Sequence, residues 1–250
     1  MTKLRHLWTV GAALAAVVTS SAALADALVV RSTGPSAASY PVGRRLPATE
    51  RVVLRAGDRI VLVGEGATRT LAGPGNFPVR AATSASLDRS ATLGRYLSAN
   101  GSSISRTGAV RGGGPVDRPT PGNIWDVDFE MGGTVCVIDP ANITLWRPYA
   151  AADTLLTVQS GEGGATSGNS LAFVTGQNFR VWPQDTMPVR DGQSYRISGP
   201  GMASTVTITF AVVGNIATDA TSVATALADK GCTRQLAQLG DQLAGLTATP

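Results

Sequence analysis

The stretch that most constrains this chain is Thr134 to Pro148, TVCVIDPANITLWRP. Two short apolar runs flank Asp139-Pro140-Ala141-Asn142, and proline after aspartate is the chemistry of a type I turn. A four-residue loop there would pair Ile138 with Ile143 and Cys136 with Leu145. Side chains alternate along a strand, so these four residues share one wholly apolar face, expected in a core. Val135, Val137, Thr144 and Trp146 form the other face. A cysteine is thereby expected inside a β core. The second cysteine, Cys232, lies almost a hundred residues downstream.

The first 25 residues read as a secretory signal peptide. Lys3, Arg5 and His6 precede an apolar run from Leu7 to Val18, and Ala23-Leu24-Ala25 is a small-x-small cleavage site before Asp26. The apolar run is shorter than the ~20 residues a membrane helix needs. A periplasmic or secreted chain cleaved near Ala25, with no transmembrane segment in its mature form, is expected. Its 225 remaining residues suit one large or two modest domains.

Without the leader the chain has no histidine and a single lysine, Lys230. Serine–histidine and cysteine–histidine catalysis, histidine-ligated metal sites and P-loop chemistry are excluded. Carboxylate-only chemistry remains open, and no cofactor is expected. Charge divides the chain: 13 arginines against 6 acids from Asp26 to Gly122, then 5 arginines and 1 lysine against 11 acids from Asn123 to Pro250. Either two surfaces are simply solvated, or the basic half faces an envelope protein or an anionic envelope component. Nucleic acid is not an expected partner for an exported chain whose charge falls to +2 without Lys3 and Arg5.

The basic half is a series of short strands separated by glycine turns, the pattern of a small β-barrel or clip. The order Gly43, Leu54-x-x-Gly57-Asp58, Gly66, Leu71-x-Gly73-Pro74-Gly75-x-Phe77 resembles the periplasmic β-domain of FecR-like proteins over residues 29–79. That resemblance implies a non-catalytic domain that senses or relays signals in the periplasm. Here a cleaved leader replaces the family's cytoplasmic region and membrane helix, so any signal would pass through a separate membrane partner. Residues 81–122 read as a short helix over Leu87–Leu97 followed by a flexible basic linker.

Residues 123–215 are expected to form an antiparallel β-sandwich of roughly eight strands. Asp191-Gly192 reads as a hairpin turn joining Val189 to Tyr195, and Asp191 with Tyr195 resembles the tyrosine corner of immunoglobulin-like domains. Residues 216–250 are expected to form a helical brace. Thr218 or Asp219 caps its first helix, Gly231 ends it, and Cys232, Leu236, Leu239, Leu243 and Leu246 make one apolar stripe packed on the sandwich. The predicted fold class is mainly β with C-terminal helices.

The candidate reactive cluster is Trp125-Asp126-Val127-Asp128-Phe129-Glu130. As a strand it aims Asp126, Asp128 and Glu130 at one face, roughly 6.5–7 Å apart in succession; retaining glycosidases need two carboxyl groups about 5–5.5 Å apart. The string resembles the carboxylate strand of family 16 glycoside hydrolases, with Asp126 where that family has a glutamate nucleophile. A solvated face, or calcium on the carboxylates, accounts for the same residues. Trp125 is expected inward. Trp146 and Trp182 alternate away from core neighbours, either covered by other elements or exposed to stack on sugars or a partner. Cys136 and Cys232 are expected either to pair in the oxidising compartment or to stay separate buried thiols. The favoured functional expectation is a non-enzymatic sensory or scaffolding module; the alternative is a carbohydrate-active protein using the acids and tryptophans.

Overall fold

The computed structural model describes residues 25–64, 67–80, 118–161 and 168–247. The segment up to residue 24 read as a leader, the helix expected over 87–97 and the expected glycine linker lie outside the described residues. Four strands, β1 (Ala25–Thr33), β2 (Arg45–Pro47), β4 (Arg59–Gly64) and β5 (Ala67–Ala72), form an antiparallel sheet in the order β2-β1-β4-β5. Strands β3 (Arg51–Leu54) and β6 (Gly75–Pro78) form a separate ribbon over one face. The two do not close into a barrel. The middles of both central strands, Leu28–Val30 and Ile60–Val63, are unbroken apolar runs because both faces are covered there. Val29, Ile60 and Leu62 pack towards the ribbon, whereas Leu28, Val30, Val61 and Val63 face the other way.

What covers that second face is the C-terminal helices, α1 (Ala220–Asp229) and α2 (Thr233–Thr247). Asp219 caps α1 by accepting the Ser222 amide at 2.9 Å, and Gly231, at φ +74°, turns the chain out of it. The stripe Cys232, Leu236, Leu239 and Leu243 is buried as expected. It packs between the two β units, sharing one core with Leu28, Val30, Cys136 and Ile124. Gly240 lets the helix approach: a Cβ there would sit 2.6 Å from the Val30 carbonyl oxygen. The charge asymmetry is partly met inside the chain, because Arg31 pairs with Asp241 at 2.8 Å and Arg45 with Asp229.

Eight described strands follow: β7 (Val127–Asp128), β8 (Gly133–Val137), β9 (Thr144–Trp146), β10 (Thr154–Ser160), β11 (Asn169–Phe173), β12 (Phe179–Val181), β13 (Ser194–Ser198) and β14 (Val206–Val212). They form a five-stranded sheet, β11-β10-β13-β14-β8, facing a small sheet, β12-β9-β7. Pairing is antiparallel except for β8 with β14 and β7 with β9. Trp182, Tyr195 and Phe210 interlock edge-to-face in the middle, with centroids 4.9 to 6.1 Å apart. The Tyr195 hydroxyl donates to the Pro188 carbonyl at 2.7 Å, a bond back to upstream backbone like that of a tyrosine corner. The Asp191-Gly192 turn is present, but Val189 lies outside any strand.

The opening hairpin is not formed. Asp139–Asn142 does turn, the Asn142 amide donating to the Asp139 carbonyl at 3.1 Å. The turn carries the chain from one sheet to the other, so β8 and β9 do not pair. Consequently Cys136 does not share a face with Ile143 and Leu145. Val135 and Val137 join those two in the sandwich core, and Cys136 faces the helices. Both faces of β8 are buried, which erases the alternation that would have told them apart. Cys136 and Cys232 are disulfide-bonded, with Cα atoms 5.9 Å apart.

Candidate functional site

The three predicted acids do not lie along one strand. Only Val127 and Asp128 are extended; Phe129–Met131 is a 3-10 turn that Asp128 caps, accepting the Glu130 amide at 3.3 Å. Gly132 and Gly133, at φ +60° and +81°, then swing the chain into β8. The curl brings Asp128 and Glu130 together on Arg118 and leaves Asp126 apart. The Arg118 guanidinium donates to both oxygens of Asp128, one at 2.8 Å, and to Glu130 Oε2 at 2.9 Å. Its Cζ stands 5.8 Å from the centre of the Trp146 ring, and Trp146 is the register partner of Asp128 across β7 and β9.

A planar guanidinium held by two carboxylates over an indole is a strong cation site, and this chain fills it itself. The hydrogen bonds to Asp128 hold Arg118 above its ordinary pKa, against burial, with Glu130 adding to the effect. Arg234 closes the neighbourhood by donating to the Met131 carbonyl at 2.8 Å. Burial, the dominant cause, lowers its pKa. Asp126 has its amide on the Asn123 carbonyl at 3.2 Å, and burial alone pushes its carboxyl up to about 6. A raised carboxyl suits a general acid, but glycoside hydrolysis needs a second carboxylate as nucleophile or base. Both neighbours are engaged by Arg118.

The tryptophans are not a binding platform. Trp125, Trp146 and Trp182 are 8%, 6% and 1% exposed. Trp146 lies beneath Arg118, and Trp182 is in the sandwich core, its Nε1 donating to the Met187 carbonyl at 2.6 Å. The ligand-binding roles considered for Trp146 and Trp182 are therefore corrected: outward parity was counted from a core face that is not the true one. Sequence reasoning also missed Arg118, treated as linker, and Arg147. Arg147 is 3% exposed and donates to the carbonyls of Gln177, Ala152 and Val174 at 2.8 to 3.0 Å. A run of three acids asking for a counter-cation was the available signal for the first.

Among the described residues no group of three or more histidine, cysteine, aspartate or glutamate side chains is placed to hold a metal ion. None of the described helices is long and apolar enough to cross a membrane. No protein-family model, curated protein or solved structure matches this chain.

Proposed function

We propose that the chain is a non-enzymatic sensory or scaffolding module of the bacterial envelope, in which a FecR-like β unit is held rigidly against a β-sandwich. The observation that carries this reading is the Arg118 clamp. Two of the acids that made a glycosidase conceivable, Asp128 and Glu130, are bonded to a guanidinium of the same chain that stacks over Trp146. The terminal helices share one core with both β units and are bonded to the sandwich by the disulfide, which favours transmitting or holding a position over turning over a substrate.

The contact face we assign to an envelope protein or anionic component is the outer side of the β3–β6 ribbon. Arg51 and Arg55 are exposed there beside Val53, itself 57% exposed. The nearby acids are turned elsewhere: Asp58 accepts the Ser36 amide at 2.8 Å, and Glu50 pairs with Arg44 at 2.7 Å. Exposed cations around one apolar side chain suit an anionic surface. The test is photo-crosslinking from position 53 in the periplasm. An adduct with one envelope component, lost in the double variant Arg51→Glu/Arg55→Glu, supports the reading. Binding of peptidoglycan or soluble glucan that Asp128→Asn abolishes would overturn it in favour of the carbohydrate-active alternative.

A further inference from the structure

The molecule guards its sheet edges one by one. At β8 the Gln235 side chain acts as a substitute strand, accepting the Cys136 amide at 2.7 Å and donating to its carbonyl at 2.8 Å. Short β2 carries Arg45, tied to Asp229, and three-residue β12 carries Arg180. On the ribbon Arg51 faces Pro78, and β5 carries Arg69. Charges, proline, shortness and covering side chains are the usual means of blocking edge-to-edge pairing.

Strand β11 has none of these. Asn169-Ser170-Leu171-Ala172-Phe173 bears no charge and no proline, and it pairs with β10 through five consecutive positions without a bulge. Among the described residues nothing pairs with its outer edge. The direction of its backbone groups follows from the ladder. The Gly161 amide donates to Ser194 across from it at 2.7 Å, so alternate residues of β10, Gln159 and Thr157, also bond towards β13. Leu156 and Val158 then bond towards Leu171 and Asn169. The amides and carbonyls of Ser170 and Ala172 are left pointing outward. One step on, the equivalent groups of Val174 are capped by Arg147 and Gln177, which agrees with this phase.

We propose that β11 pairs with β11 of a second copy of this chain, antiparallel about a two-fold axis at Leu171, joining the two five-stranded sheets. In that register Ser170 lies opposite Ala172 of the copy, and the four outward groups on each strand satisfy one another with no like charges opposed. Beside the edge, Leu155 and Val174 are 57% and 59% exposed and flank exposed Ala172 on the sheet's outer face, an apolar strip that the joined sheet would carry up to the seam. This inference stands independently of the envelope role.

The test is sedimentation equilibrium of the purified protein with hydrogen exchange on the same sample. Wild type is expected at twice the chain mass, with slow exchange at Ser170 and Ala172. Ala172→Pro removes an amide that points away from β10, a position where an edge strand tolerates proline; Ser170→Lys adds the missing edge charge. Ala172→Pro removes one hydrogen bond per copy, two in the symmetric pair, and is expected to weaken self-association by roughly thirtyfold. Ser170→Lys keeps the backbone bonds but sets an ammonium on each strand at the seam and is expected to weaken it through charge repulsion. Both should melt as monomers like wild type. Should Ala172→Pro fail to fold, Ser170→Lys decides. A monomeric wild type with both amides exchanging freely overturns self-pairing and leaves the edge to a strand of another protein. A dimer that survives both variants overturns it as well.

Discussion

Gln235 and Cys136 are joined twice, side chain to backbone: Gln235 Oε1 accepts the Cys136 amide at 2.7 Å and Nε2 donates to the Cys136 carbonyl at 2.8 Å. The same Nε2 also reaches the Ile124 carbonyl at 2.8 Å. One helix residue thus satisfies three buried backbone groups at the junction of helix, sandwich and the segment entering it. Gln235→Leu keeps the bulk and orphans all three. A loss of about 2–4 kcal/mol, or about 5–10 °C in melting temperature, is expected. Gln235→Glu keeps the acceptor but sets a carboxylate against two carbonyl oxygens, so it should lose more at neutral than at acidic pH. A Gln235→Leu protein within about 0.5 kcal/mol of wild type in urea would show that water replaces the amide.

The disulfide made by the same Cys136 closes a separation of 96 residues. For a loop of about 100 residues the chain-entropy estimate is about 4.7 kcal/mol, with measured bridges often lower. Cys232→Ala is expected to lose about 3–5 kcal/mol in urea unfolding, and unreduced wild type should carry no alkylated cysteine by mass spectrometry. Wild type and Cys232→Ala unfolding at the same urea concentration would contradict the expectation.

How much of this was legible depended on whether a residue's signal was local. Cys232, Leu236, Leu239 and Leu243 announced a helix face by spacing alone, and Asp219 and Gly231 announced its neighbours' ends. The turn at Asp139–Asn142 was equally plain, but not whether it made a hairpin or crossed between sheets. That depends on which sheet each flank joins, and β8 is apolar on both faces because helices cover one and the sandwich the other. The misplacement of Trp146 followed from it. The acids of the candidate site were visible as a cluster. Their partner Arg118 lies ten residues before Asp128 among turn-forming prolines and glycines, where nothing local marks it as bonded.

Arg118 offers a way to tell a structural clamp from an active site. Acids kept together for chemistry repel one another, and neutralising one usually stabilises the fold. Acids bonded to an internal arginine do the reverse. Asp128→Asn and Glu130→Gln are each expected to destabilise at pH 7. Arg118→Met should lose about 1–3 kcal/mol, the range for hydrogen bonds to charged groups. In a double-mutant cycle Arg118 and Asp128 should couple by more than about 0.5 kcal/mol, less at high salt because the site is partly open. Stabilisation by Asp128→Asn would point back to a functional acid.

Asp126 should behave in the opposite sense. Burial pushes its carboxyl from 3.8 up to about 6 in the folded protein, with no compensating hydrogen bond among the described residues. A group whose folded pKa is raised favours the native state while protonated in both forms. Below about pH 4 it therefore costs nothing. As the pH rises from about 4 to about 6, the unfolded chain ionises first and the native state loses ground. Above about 6 the penalty is complete, on the order of 2 kcal/mol after allowing for partial exposure. Asp126→Asn is accordingly expected to stabilise the protein by about that amount at pH 7, by less at pH 5, and not at all below pH 4. Urea unfolding of both proteins at the three pH values checks it. A variant that is less stable than wild type at pH 7 would mean that the ionised carboxylate holds a partner, and that partner would then be the first place to look for a ligand.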